Sequence, residues 1–217
     1  MLTKYAPYYI DSDLCETELL RLSKHHFAGY GDAMITTLIT GGLRGLDFLH
    51  NIVLMLHCDL KPANLLICNH VIKIADFGMA IDRHDREKVF NCMGTPFYTP
   101  PEIWIQQAFT DKGDLFAYGA TLLDAFDGWT PITQTREALF AWQEWNGNGD
   151  GKKALRGQAL FRKHVSECFK SFVPVAPVGT RLSANVHLPA VVRAVVMMLL
   201  ETNLHCRPTT RQALNAL

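Results

Sequence analysis

The sequence predicts a mainly α fold carrying one short β-hairpin, and three observations lead there. Apolar residues recur at three- to four-residue spacing over most of the chain, as the buried face of a helix requires. One stretch, 65–74, breaks that period: two short apolar runs flank Asn69-His70. The 217 residues are 48% hydrophobic, enough for one substantial core, while the longest apolar runs, 52–56 and 194–200, are far short of the ~20 residues a membrane span needs.

The elements follow in order. Leu14, Leu19, Leu20 and Leu22 fall at short helical steps and predict a helix over 13–24. Met34, Ile35, Leu38, Ile39, Gly42, Leu46 and Leu49 predict a stronger one over 32–50. Gly41, Gly42 and Gly45 each weaken that helix by roughly 1 kcal/mol relative to alanine, which a close packing neighbour would explain. Asn69-His70 then suits a two-residue turn, since Asn tolerates positive φ. That turn sets Leu66 opposite Lys73 and Leu65 opposite Ile74, and makes Asn64 face Ala75. A Gly/Pro-rich loop, "MGTPFYTPPE", follows Phe90. Further helices are expected at about 115–127, 133–145, 155–172 and 188–200. Thr209 or Thr210 caps a last one in "RQALNAL".

Lys plus Arg equals Asp plus Glu at 21 each, so no nucleic-acid or membrane partner is held by bulk charge. The six cysteines include no C-x-x-C pair, which disfavours a structural zinc site and fits a reducing compartment, the cytoplasm or the nucleus. The N-terminus has no apolar core of a secretory signal. In 146–157, Asn146, Asn148 and Asp150 follow a calcium-loop pattern, but Gly157 stands where a bidentate glutamate is required, so a surface loop is expected. The same stretch also fails the phosphate-loop spacing.

The chemistry concentrates in "HCDLKPANLL", residues 57–66, and in Asp76. The hairpin brings Asn64 and Asp76 together at its open end, an amide oxygen and a carboxylate. Such a hard pair suits Mg²⁺ shared with substrate phosphates. Asp59 can orient a hydroxyl and Lys61 can neutralise phosphate charge, which is most of what phosphoryl transfer asks of a protein. Singly, each of these residues is also an ordinary turn former.

"HCDLKPANLL" followed by "IADFGMA" resembles the catalytic and metal-binding loops of protein kinases. "GTPFYTPPE", "DKGDLFAYGATLLDAF" and "NLHCRPTTRQAL" resemble that family's later landmarks, in order. The resemblance implies the large C-terminal lobe over 13–217, entered by a hinge-like segment 1–12, with the small β-rich lobe absent. It implies ATP and Mg²⁺ as cofactors and a protein hydroxyl as substrate. Asp59 would be the catalytic base, Lys61 the group stabilising the transferred phosphoryl, and Asn64 and Asp76 the metal ligands. Leu66 would lie under the adenine and Thr95 beside the substrate. His57 and Phe77 would support Asp76, Asp114 would brace the catalytic loop, and Glu102 with Arg207 would form a buried ion pair. Lys61 and Thr95 are similar to the serine/threonine branch. Ala63 supplies no acidic group that would select basic substrates.

Two departures carry their own expectations. Cys58 stands where many kinases have an arginine that answers an activation-loop phosphate, and a thiol cannot make that charge-assisted contact. Residues 79–94 contain no Ser, Thr or Tyr, so phosphorylation of this segment is not expected to switch activity. At the front, the first glycine is Gly29, and Lys4 with Glu16 or Glu18 lies too close to Asp59 to belong to a small lobe. Poor ATP affinity and turnover are therefore expected of this chain, with truncation favoured over loss of the lobe. The face left open should be apolar and favour association. Residues 146–185 exceed the corresponding stretch of a typical kinase and are a candidate docking insertion for a partner protein. The alternative function is a catalytically inactive pseudokinase fragment that binds partners.

Overall fold

The computed structural model describes residues 15, 17–19, 30–92, 94–105, 108–128, 130–131, 151–170 and 188–217. The expected helix 133–145 and segment 1–12 lie outside them, as does much of 146–185. The described residues are mainly helical with two small antiparallel sheets.

Residues 13–24 were expected to be helical, but Thr17–Glu18 form a strand, β1. The steps between leucines there are too few to outweigh tertiary pairing. β1 adds to the free edge of the hairpin, with Thr17 opposite Ile67 and Glu18 opposite Leu66. The Leu19 N–H donates to the Leu65 carbonyl at 2.7 Å, and Leu19 is buried.

Helix α1, Asp32–Phe48, buries Ile35, Leu38, Ile39, Leu43 and Leu46, the face its periodicity predicts. Two of its glycines have steric reasons. A Cβ on Gly41 would strike the Val71 side chain, and one on Gly42 would strike the Tyr118 ring. Tyr118 uses that approach to donate its hydroxyl to the Ile39 carbonyl at 2.8 Å. Beyond Phe48 the helix widens into a π-turn, Leu49–Val53, which ends at Leu54 in the left-handed region. Such turns absorb an extra residue without ending the helix.

A short strand, β2 (Met55–Leu56), pairs with β5 (Ile81–Asp82). Between them lies the hairpin of β3 (Leu65–Cys68) and β4 (Val71–Ile74). Its register is the one the turn predicts: Leu65 opposite Ile74, Leu66 opposite Lys73. Asn69 and His70 both take positive φ, 51° and 61°, as a type I′ turn demands. The Ala75 N–H donates to the Asn64 carbonyl at 2.9 Å, so the ribbon extends to the residues of interest.

The short helices α2 (Arg86–Asn91) and α3 (Pro101–Trp104) precede α4, Asp111–Asp127. Along α4, residues 113–123 are all buried, so it runs through the core rather than over it. Gly128 ends it at φ 73°, its N–H donating to Leu123 and Asp124 carbonyls. Helix α5, Gly151–Lys170, begins four residues before the expected start, so residues 151–157 of the calcium-like stretch are helical. Helix α6 is Ala190–Leu199, and α7 is Thr210–Asn215. Thr209 and Gln212 close a reciprocal capping box on α7. The main core joins α1, β3, β4, α4 and α6. Among the described residues no helix is long and apolar enough to cross a membrane.

Candidate active site

The loop from His57 to Lys61 follows β2 and rests on one buried carboxylate. Asp114, fully buried on α4, accepts the His57 N–H at 2.7 Å and the His50 imidazole at 2.8 Å on one oxygen. Its other oxygen accepts the Cys58 N–H at 2.9 Å. A buried carboxylate needs such donors, and here they fix the backbone on both sides of the His57-Cys58 peptide. Cys58 is thereby held at φ 67°, sparsely populated for a residue with a side chain. The loop next turns through Asp59. The His57 ring spans to the hairpin: its Nε2 donates to the Ala75 carbonyl at 2.9 Å, and Nδ1 accepts the Asp59 N–H at 3.3 Å.

Asp59 is a nearly buried carboxylate with both oxygens engaged. One accepts the Thr95 N–H at 2.8 Å and its hydroxyl at 2.5 Å. The other accepts the Lys61 ammonium at 2.6 Å. Lys61 also reaches the Thr95 hydroxyl, at 3.4 Å. Gly94 makes this approach possible, because a Cβ there would collide with the Cys58 carbonyl oxygen. Asn64 donates its amide N–H to the Asp59 carbonyl at 2.9 Å, which turns its Oδ1, the harder donor, to the other side.

Asp76 begins the loop after β4 at φ 59°, ψ 74°, accepting the Gly78 N–H at 3.3 Å. Backbone in that region is costly for aspartate and recurs at functional sites. Phe77 meets the His57 ring edge-on, with centroids 5.2 Å apart. Leu66 points away from the core that takes Leu65 and Ile67, and is half-buried. The Asn64 and Asp76 oxygens are a hard, Mg²⁺-like pair; no three His, Cys, Asp or Glu side chains gather as a metal cluster among the described residues.

Two features frame the site. Glu102 and Arg207 form a buried bidentate pair, at 2.8 and 2.9 Å. Phe48, Val53 and Phe77 form an exposed apolar face. It borders a groove of about 490 Å³ between α1 and β4.

Sequence reasoning missed His50. Its place on the buried face of the helix predicted over 32–50 was legible, but its bond to a carboxylate 64 residues away was not. The Cys58 thiol lies in one buried cluster with Cys92, and the neighbouring Cys92 thiol, with burial second, holds it protonated well above the usual thiol range. Burial and the Asp124 carboxylate, 2.7 Å away, likewise push the Tyr98 phenol up.

A family model described as the protein kinase domain matches residues 1–216. Receptor-like protein kinase BRI1-like 3 of Arabidopsis thaliana is 39% identical over 100 residues, 42% of this chain and 8% of that protein. Serine/threonine-protein kinase BRI1-like 1 of the same plant is 38% identical over 100 residues, 42% of this chain and 8% of that one. Cyclin-dependent kinase F-3 of Oryza sativa subsp. japonica is 33% identical over 112 residues, 51% of this chain and 26% of that one. The chain thus spans between 8% and 26% of the length of these relatives.

Proposed function

The chain belongs to the protein kinase domain family, and from that premise we propose that it is the large lobe of a serine/threonine kinase that phosphorylates protein hydroxyls. The observation that carries the reading is the Asp59 carboxylate, clamped by Thr95 on one oxygen and Lys61 on the other. A base so held keeps one orientation, which is what in-line transfer needs from it. An incoming substrate hydroxyl takes its place against Asp59, which orients it and accepts its proton. Lys61 then turns toward the transferred group, and the Thr95 N–H keeps the carboxylate in position. Asn64 Oδ1 and the Asp76 carboxylate would hold Mg²⁺, and Leu66 would lie against the adenine. Mg²⁺-ATP, when bound, supplies the phosphoryl group and the cation that offsets its charge.

The apolar face around Phe77 supports the large-lobe reading, because it is the surface a β-rich small lobe would cover. The segment after Asp76 supports independence from activation-loop phosphorylation. Leu56, Cys58, Val89, Cys92 and Phe109 pack into one apolar cluster. The Phe109 N–H donates to the Val89 carbonyl at 2.9 Å, and Arg83 donates to the His50 carbonyl at 2.8 Å. These contacts do the anchoring that a phosphate–arginine pair does elsewhere.

The test is transfer of labelled phosphate from Mg²⁺-ATP to a generic protein substrate, using the protein of the full reading frame. Label on Ser or Thr, lost with Asp59→Asn, is expected. Mg²⁺-ATP should also raise the melting temperature, and Asp76→Ala should remove that rise. No label and no shift would favour the partner-binding alternative, which the apolar face also suits.

A further inference from the structure

Cys58 and Cys92 are 34 positions apart, yet the fold brings both into one buried cluster. Both are buried, packed in one cluster with Leu56, Val89 and Phe109. Cys58 immediately precedes Asp59, and Cys92 stands three residues before Thr95. The two ends of the Asp59–Thr95 contact are therefore flanked by one thiol each.

We propose that Cys58 and Cys92 are an oxidisable pair, joined as a disulfide by hydrogen peroxide and separated again by thiols, and that the bridge lowers phosphoryl transfer by displacing Asp59. The disulfide half of this proposal stands on the structure alone; its effect on activity rests on the function proposed above.

The chemistry balances with peroxide as oxidant. One thiol is oxidised to a sulfenic acid as the peroxide O–O bond breaks and one water leaves. The second thiol attacks that sulfur, the S–S bond forms, and the hydroxyl departs with the thiol proton as a second water. The first attack falls on Cys92, the thiol beside exposed residues at the end of a short helix. Cys92 directly follows α2, a six-residue helix that exposes Phe90 and Asn91. So short a helix opens readily, and opening is how a buried thiol reaches the oxidant. Oxidation is accordingly slow compared with that of an exposed low-pKa thiol.

The consequence follows from geometry. Two unbonded thiol sulfurs stand farther apart than the ~2.05 Å of a disulfide, so the bridge draws the two segments together. They cannot simply close, since the Gly94 backbone already meets the Cys58 carbonyl. The strain passes to Cys58, already at positive φ, and from there to Asp59. A misplacement of ~1 Å at a catalytic group costs about 100-fold in rate.

The experiment treats the full reading-frame protein with hydrogen peroxide, then alkylates, digests without reductant and maps the peptides. A Cys58–Cys92 linked peptide, two hydrogens lighter than its parts and reversed by dithiothreitol, is expected. Both cysteines still alkylated after Cys206 has been oxidised, or either one bridged elsewhere, overturns the pairing. Phosphoryl transfer, read in parallel, should fall about 10- to 100-fold and recover with dithiothreitol. Cys92→Ser should lose the peroxide response, read against its own untreated rate. A linked peptide with unaltered transfer refutes the control and keeps the disulfide. Absence of transfer in the untreated protein sinks the kinase reading instead, and the peptide map still decides the pairing.

Discussion

Two acid–base pairs among the described residues are built for opposite purposes. Arg207 and Glu102 are sealed in: the guanidinium makes two bonds to the carboxylate, donates to the Glu201 and Lys112 carbonyls, and lies 4.9 Å over the Phe116 ring. Nothing is left for a newcomer. Lys61 and Asp59 share one contact at 2.6 Å and keep 29% and 11% of their side chains exposed. A flexible ammonium there can leave without stranding a charge, because water reaches it. Sealing specifies geometry; partial exposure leaves a group able to change partners. The proposed function calls on both, one to hold the segment after α3 and one to meet substrate.

The comparison breaks most visibly at the sealed pair. Arg207→Ala leaves Glu102 buried without its partner and should cost about 3–5 kcal/mol. Urea denaturation would show the midpoint falling steeply, with activity lost alongside stability. A loss below 1 kcal/mol would mean water reaches Glu102 and the pair is not sealed. Asp59→Asn should behave the other way: about 10²- to 10⁴-fold lower kcat, with the urea midpoint nearly unmoved. A variant that unfolds as easily as Arg207→Ala would show Asp59 to be structural.

The two pairs also differ in how far the sequence discloses them. The loop that carries Asp59 and Lys61 was legible because its residues are local. Asn69-His70 between two apolar runs sets the hairpin, and the hairpin's register places Asn64 against Ala75. Long-range partners are different. Glu102 and Arg207 could be paired only through the family resemblance, since nothing local says that residues 105 positions apart meet. His50 and the Cys58–Cys92 contact had no such guide. The strand Thr17–Glu18 was hidden for another reason: it forms on the edge that β3 offers, and its own residues have no strand period to show.

Gly94 sits between the two regimes. It carries no charge, yet it sets how closely the Thr95 segment approaches the catalytic loop. Gly94→Ala must push its Cβ away from the Cys58 carbonyl, which is backbone and yields little. The expected cost is about 1–3 kcal/mol of stability. Activity should fall further than stability does, because the displaced atoms are those that clamp Asp59. Equal effects on both would mean the clamp adjusts without consequence.

The smallest effect belongs to a third pair, on the surface. Lys88 and Asp85 stand 3.3 Å apart with 66% and 32% of their side chains exposed, where ion pairs contribute little. Asp85 is also the N-cap of α2, accepting the Lys88 N–H at 3.1 Å. That backbone bond, more than the ammonium, holds its carboxyl below the ordinary value. A depressed carboxyl contributes stability above its unfolded value, ~3.9, and loses it as the pH falls through the lower folded value. Melting temperatures from pH 7 to pH 3 should therefore separate two variants. Asp85→Ala removes the cap and with it this part of the acid limb. Lys88→Ala keeps the backbone donor and should keep most of it, at any salt concentration. If Lys88→Ala erased as much as Asp85→Ala, charge rather than capping would hold the start of α2, the helix that leads into Cys92.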